Sequence, residues 1–210
     1  MRLELASYKA TKFACLNFHY AKSIPVNTIG FSVFNYKNEW CGVILYGTGA
    51  NNNIAMTFDL NQGQVIELVR MALNGKQEST SKALAISLKL IKKAVPLVKL
   101  IVSYADKDQE HIGVIYQATN WFYVGTSLEN KKDGSFIIDG KRIHGKSLSD
   151  KCKRFGFNKS IDNIKIVYKT NNIIEYITKG KLKYIYPLYN SVLPLCNSLK
   201  KDYPKKAVIA

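Results

Sequence analysis

The order of apolar runs along the 210-residue chain predicts an α/β fold, a mixed β-sheet flanked by helices. Three observations carry that prediction. Residues 29–36 and 39–46 are apolar, aromatic runs on either side of Lys37-Asn38, the pattern of an antiparallel hairpin. Residues 79–96 read as a capped amphipathic helix, with Leu84, Leu88, Ile91 and Val95 at helical spacing on one face. Residues 64–73 and 99–104 bracket that helix and read as strands, which makes a crossover unit with parallel strands.

The elements follow in order. Residues 13–23 read as a short helical or irregular element that ends near Pro25. Residues 47–53 are a Gly/Asn-rich loop. Ser79, Thr80 and Ser81 offer caps for the long helix, Lys82, Lys89, Lys92 and Lys93 sit mostly off its apolar face, and Pro96 ends it. Residues 111–119 are predicted helical and residues 121–125 a strand. Asp139-Gly140 is a tight turn between runs 136–138 and 142–144. A short helix is expected over 148–154, and late strands over 165–169 and 182–187. No internal repeat interrupts the chain, and residues 1–210 read as one domain. This order fits the acyl-CoA-dependent N-acyltransferase (GNAT-like) arrangement, in which a helix N-terminus after a strand receives a pyrophosphate. The glycine-rich loop expected there is absent: residues 70–76 read RMALNGK.

Composition narrows the function. The chain carries 31 Lys+Arg against 15 Asp+Glu, a formal net charge of +16. Residues 131–210 alone hold 18 against 6, a net of +12. Such a balance favours a polyanionic partner. No apolar run is long enough to span a bilayer, and Met1-Arg2-Leu3-Glu4 lacks a signal pattern, so a cytoplasmic protein is expected. Cys15, Cys41, Cys152 and Cys196 form no CxxC pair, and reduced, mostly buried thiols are expected.

The densest polar constellation is SYADKDQEHIGVIYQATN, residues 103–120. Polar side chains just past the carboxyl end of a strand sit where open α/β sheets hold their ligands. Ser103, Asp106, His111 and Tyr116 can supply a base, a proton carrier and an anion-stabilising donor, or metal ligands, or simply turn and capping groups. Glu67 and Arg70, three apart on one strand, are expected to face opposite ways, with Arg70 the better anion ligand. Ser81 either caps its helix or donates to a cofactor phosphate, next to Lys82.

The same stretch resembles the phage Mom DNA-modification family. The resemblance rests on Ser103-Tyr104-Ala105-Asp106, on His111-x-Gly113, on Ile115-Tyr116-Gln117-Ala118-Thr119-Asn120-Trp121 and on Tyr123-x-Gly125. His19-Tyr20, the helix start at 79–84, Asp139-Gly140-Lys141-Arg142-x-His144 and the basic strand at 180–186 agree in order. The resemblance implies an acetyltransferase-like fold and conversion of adenine in DNA to a carbamoylmethyl (acetamido-type) adenine, which shields phage DNA from restriction. It also implies an acyl-CoA donor such as acetyl-CoA, and iron. His19, Tyr20, Asp106 and Tyr116 match its motifs; Asp106 is the leading candidate for base, and His19, Tyr20 and Asp106 for metal ligands. Tyr116 is expected to reach Asp106 if its helix turns back over the strand end.

An adenine amine is out of reach inside a stacked duplex, so the base is expected to flip into an aromatic pocket. Trp40, Trp121, Phe122 and Tyr123 are the candidates for stacking, each with a core role as the alternative. Double-stranded DNA is the expected partner. Lys141, Arg142 and Lys146 around the Asp139-Gly140 turn, with Lys151, Lys153 and Arg154, are the phosphate candidates in the basic portion 131–210. The competing readings are an acyl-CoA-dependent N-acyltransferase acting on a protein or small amine, and a non-catalytic basic DNA-binding protein.

Overall fold

A β-strand, β1 (Arg2–Leu5), opens the chain and leads into helix α1 (Tyr8–Asn17), whose first turn is capped by the Ser7 side chain accepting from the Ala10 N–H. The computed structural model describes residues 1–26, 29–49, 53–127 and 129–205, so residues 50–52 of the Gly/Asn-rich loop lie outside the described residues. There follow β2 (Ile29–Phe34), β3 (Trp40–Gly47), a 3-10 turn at Ile54–Phe58, β4 (Val65–Leu73), α2 (Thr80–Ala94) and β5 (Leu100–Asp106). A second 3-10 turn, Lys107–Gln109, precedes α3 (Val114–Gln117) and β6 (Phe122–Ser127). Then come β7 (Lys131–Ile138), β8 (Lys141–Ile143), α4 (Gly145–Arg154), α5 (Ile161–Tyr168) and β9 (Ile173–Thr178). The described chain closes with β10 (Lys181–Pro187), a 3-10 turn at Asn190–Val192 and α6 (Leu193–Leu199).

These elements form two compact units. The first takes residues 1–105, 112–125 and those from 182 onward; the second takes 106–111 and 126–181. The first unit is built on a seven-stranded sheet in the order β1-β2-β3-β4-β5-β10-β6. Strands β1 to β4 are antiparallel neighbours, whereas β4 and β5 pair in parallel, as the crossover through α2 requires. Helix α2 buries Ala83, Leu84, Leu88 and Ile91 against Ile44, Tyr46, Ile66, Leu68 and Ile101, the largest apolar cluster. On the other face of the sheet, α1 sets Ala14 and Cys15 over Val43, Leu45 and Ala72. All four cysteines are buried.

The second unit is a three-stranded antiparallel sheet, β8-β7-β9, packed by α4 and α5 through Phe136, Ile138, Leu148, Cys152 and Ile164. Asp139 and Gly140 both have positive φ (48° and 76°), the mirror-image turn that matches strand twist in a two-residue hairpin.

Three features depart from the sequence reading. Helix α1 begins at Tyr8, not 13, because Ser7 caps it. Residues 165–169, expected as a strand, are the end of α5: Ser160 caps that helix, and Ile164 and Val167 are buried at i, i+3 spacing. The strand of this region is β9 instead. The predicted helix over 111–119 shrinks to Val114–Gln117, because left-handed residues at Gly113 (φ 76°) and Asn120 (φ 59°) bound it.

Candidate functional site

Strand β4 pairs with β5 over only three positions, Val65–Leu100, Ile66–Ile101 and Glu67–Val102. Past them a side chain replaces the ladder. The Ser103 hydroxyl, one residue further along β5, donates to the Leu68 carbonyl at 2.9 Å. The Tyr116 hydroxyl in turn lies 2.8 Å from Ser103 Oγ. Since Ser103 gives its only proton to Leu68, Tyr116 donates to Ser103. The parting of the two strands is thus braced by a hydroxyl relay running Tyr116 to Ser103 to Leu68, all of it buried. Burial, partly offset by the Ser103 hydrogen bond and reinforced by the Glu67 charge, pushes the Tyr116 phenol up to about 12. At neutral pH it is a protonated donor.

The YQATNW segment builds the walls around this hydroxyl. Tyr116 packs against Trp121 and Tyr184, with ring centroids 5.1 and 5.0 Å away. The Tyr184 hydroxyl donates to the Ile112 carbonyl at 2.6 Å, and Gln117 Nε2 reaches the same carbonyl at 3.0 Å. Thr119 closes the turn onto the Ile115 carbonyl. Gly113 is forced by this packing: a Cβ there would meet the Tyr184 ring at 2.4 Å. Trp121 is completely buried, so it is core and offers no face to a flipped base. Trp40 packs on Phe13 and Phe18, and Tyr123 on Tyr184.

Beside α2 lies an open groove of about 560 Å³, lined by Ser81, Lys82, Lys89 and Lys92 from that helix, by Thr119 and Asn120, and by Tyr186 on β10. Ser79, not Ser81, is the helix cap: its side chain accepts from the Lys82 N–H, and Ser81 Oγ bonds to Ser79 Oγ at 3.0 Å. The first intrahelical bond runs from Ala83 N–H to the Ser79 carbonyl, so the Thr80 and Ser81 N–H groups stand ahead of it at the positive end of the helix dipole. A groove with this helix start and three ammonium groups accepts an anionic, phosphate-bearing ligand.

Arg70 sits elsewhere than expected. Its guanidinium donates to the Ser23 carbonyl and lies beside Cys15, under α1. Leu45 pairs with Arg70 and Tyr46 with Leu68, which leaves Val69 as an extra residue, a β-bulge. Glu67 opposes Gly47 and Arg70 opposes Leu45, and these two β3 residues alternate onto one face. The bulge therefore turns Glu67 and Arg70 to the same side, contrary to simple strand alternation. Glu67 is the residue that sequence reasoning set aside. A Cβ on Gly49 would fall 2.0 Å from its carboxylate, so the loop backbone passes directly over it. Burial first, then the Glu67 charge, raises Tyr104 to about 12.

His19 and Tyr20 follow α1 as a stacked pair, 4.3 Å between ring centroids, with His19 Nδ1 accepting from the Ala21 N–H. Among the described residues no three of His, Cys, Asp and Glu converge as metal ligands.

Within the second unit, Asp106 caps the 3-10 turn by accepting from the Asp108 N–H at 3.0 Å, and the His111 N–H returns to the Asp106 carbonyl at 3.1 Å. His111 is exposed. Asp108, its side chain only 4% exposed, takes Arg142 at 2.9 Å, Thr178 at 2.8 Å and the Lys179 N–H at 2.9 Å. Arg142 also bridges Asp133 at 2.8 Å and lies 3.8 Å over the Tyr176 ring. Burial opposes ionisation of Asp108, but these donors outweigh it and hold its carboxyl below the usual range; Asp133 behaves alike. Lys151 rests 3.6 Å over Tyr168 and Arg154 donates to the Asp150 carbonyl, while Lys141, Lys146 and Lys153 are exposed. The charge divides differently in space than along the chain. The second unit holds 14 Lys+Arg against 9 Asp+Glu, a net of +5, and the first holds 17 against 6, a net of +11.

Comparison with known proteins gives one family and one fold. The sequence profile of the Mom protein family matches residues 1–205. The methylcarbamoylase mom of Escherichia phage Mu is 28% identical over 149 residues, 69% of this chain and 60% of that protein, so the chain spans under two thirds of that relative's length. A putative phosphinothricin N-acetyltransferase superposes with a TM-score of 0.51 at 9% identity, covering 90% of this chain and 99% of that one. A chimeric spermidine N-acetyltransferase SpeG of Vibrio cholerae gives 0.50 at 9% identity, covering 90% and 97%. The fold is that of the GNAT acetyltransferases, a mixed sheet flanked by helices.

Proposed function

As the chain belongs to the Mom protein family, we propose that it is a DNA-modifying enzyme that places a carbamoylmethyl group, the group in the name of the phage Mu methylcarbamoylase, on adenine and so protects DNA from restriction. The observation that supports this reading most is the hydroxyl relay at the parting of β4 and β5, which holds a protonated, buried phenol among the family's own motif residues. A transferase acting on an exocyclic amine needs three things: a donor held in place, a hydrogen-bond donor for charge developing on the transferred group, and an acceptor for the amine's proton. Tyr116 suits the second role once its hydroxyl turns from Ser103 to the transferred group, since its one proton serves one acceptor at a time. Asp106 is assigned the third.

The donor is proposed to be a CoA-type ester, its phosphates at the start of α2 beside Ser81 and Lys82 and its nucleotide end along Lys89 and Lys92. When bound, such a group supplies an activated acyl carbon. This chain's residues hold its phosphates. The partner is DNA, and no described helix is long and apolar enough to cross a membrane. We place the protein in the cytoplasm of the host, where phage DNA is made.

The test is restriction protection. Plasmid DNA from cells expressing the chain should resist endonucleases whose sites contain adenine, and protection should vanish with Asp106→Ala. Full cleavage of DNA from cells rich in the folded wild-type protein would refute the proposal.

A further inference from the structure

Seven of the nineteen exposed large apolar side chains of the described residues fall between Leu5 and Val26. They centre on α1. Its inner face carries Thr11, Ala14 and Cys15 into the core, whereas its outer face presents Tyr8 (71% exposed), Phe13 (51%) and Leu16, interleaved with exposed Lys9 and Lys12. Lys9 and Phe13, like Tyr8 and Lys12, stand at i, i+4 and so lie side by side. Tyr20 continues the strip beyond the helix end, half exposed and stacked on His19. Phe13 is not loose: its ring meets Phe18 at 5.6 Å and Trp40 at 5.9 Å, so the outer aromatic surface is fixed from beneath. No carboxylate occurs between Glu4 and Glu39.

We infer that the outer face of α1 is a binding surface for unpaired DNA, which holds the strand next to an extruded adenine. The inference rests on the proposed action on DNA and assigns a second part of the chain to it. Flat rings alternating with ammonium groups are the arrangement by which single strands are held, since every base has a stacking face and every linkage a phosphate. A second copy of the chain is disfavoured as occupant, because a symmetric contact would set Lys9 and Lys12 against their own counterparts. Base extrusion unpairs the adenine and its complement and unstacks the bases beside them, and aromatic side chains hold such opened strands rather than a closed duplex.

The experiment is fluorescence anisotropy of the full-length protein with labelled single-stranded and duplex oligonucleotides of one sequence, across a salt series. The wild type should bind the single strand more tightly. Tyr8→Ala with Phe13→Ala should weaken that binding by about tenfold or more for each stacked base lost. Lys9→Ala with Lys12→Ala should reduce the slope of log affinity against log salt by about 0.7 for each phosphate contact removed. Tyr8→Ala alone, at a position outside the apolar clusters, gives the answer even if the Phe13 change disturbs folding. Wild-type binding that none of these changes alters would overturn the inference and leave the DNA reading intact. Absence of any DNA binding by folded wild type at low salt would overturn both. Capture by anionic lipid vesicles, with no preference for single strands, would overturn the inference as well.

Discussion

Replacing Ser103 by Ala and Tyr116 by Phe should have unequal effects, and the inequality follows from the relay. Tyr116→Phe removes the outermost donor. Ser103 keeps its bond to the Leu68 carbonyl, so one buried hydrogen bond is lost, worth about 0.5–1.5 kcal/mol. In a chain of this size that lowers the melting temperature by roughly 1–6 °C. Ser103→Ala removes the middle of the relay. It leaves a buried carbonyl on Leu68 and a buried phenol on Tyr116, both without their partner, at about 1–3 kcal/mol each. The expected total is about 2–6 kcal/mol, several times the first value. Activity should order the other way relative to stability, because a phenol that donates in the transition state is worth about 10²–10⁴ in rate. Thermal unfolding followed by circular dichroism, with modified deoxyadenosine measured for each variant, checks both. Equal destabilisation by the two substitutions would refute the relay, and full activity of Tyr116→Phe would refute its catalytic part.

Three further outcomes are expected. Tyr116 titrates near 12 and Tyr46 is also pushed up by burial, so each adds stability below the unfolded tyrosine value near 10 that is lost as pH rises through the folded values. Urea midpoints should fall steeply above pH ~10, and Tyr116→Phe should make that fall shallower. Arg142→Ala should destabilise the second unit by about 2–4 kcal/mol, since it strands Asp108 and Asp133. Both carboxyls are held below their ordinary values, so the wild type should lose stability as pH falls below ~4, and the variant less so; hydrogen exchange at β7 and β9 reads this. Lys82→Ala with Lys89→Ala should weaken CoA binding at least tenfold by calorimetry without lowering the melting temperature by more than ~2 °C, because exposed cations away from ion pairs carry little stability.

Local signals were legible in the sequence and long-range ones were not. The hairpin at Lys37-Asn38, the Ser79-capped helix and the parallel β5 each rest on adjacent residues, and the structure holds all three. The bulge at Val69 depends on how β4 meets β3, which no pattern within β4 states, and it reverses the expected facing of Glu67. Residues 165–169 are a β-branched and aromatic run between two lysines, which reads as a strand, yet the cap five residues earlier decides for helix. The polar segment at 103–120 was found from its composition. Its internal partners were not, for Tyr116 donates to Ser103, thirteen residues back, where Asp106 had been expected. Arg142 looked like a free cation on a turn, but Asp108, distant in sequence, occupies it. Likewise the basic excess of residues 131–210 is divided by the fold, because the chain from 182 onward returns to the first unit.

The most direct test is the mass of the adenosine itself. DNA from bacteria expressing the wild-type chain, digested to nucleosides and analysed by mass spectrometry, should contain a heavier deoxyadenosine carrying a carbamoylmethyl group. Tyr116→Phe, folded and expressed equally, should reduce it by about 100-fold or more. Unmodified deoxyadenosine alone, in cells rich in folded wild-type protein, would contradict the account.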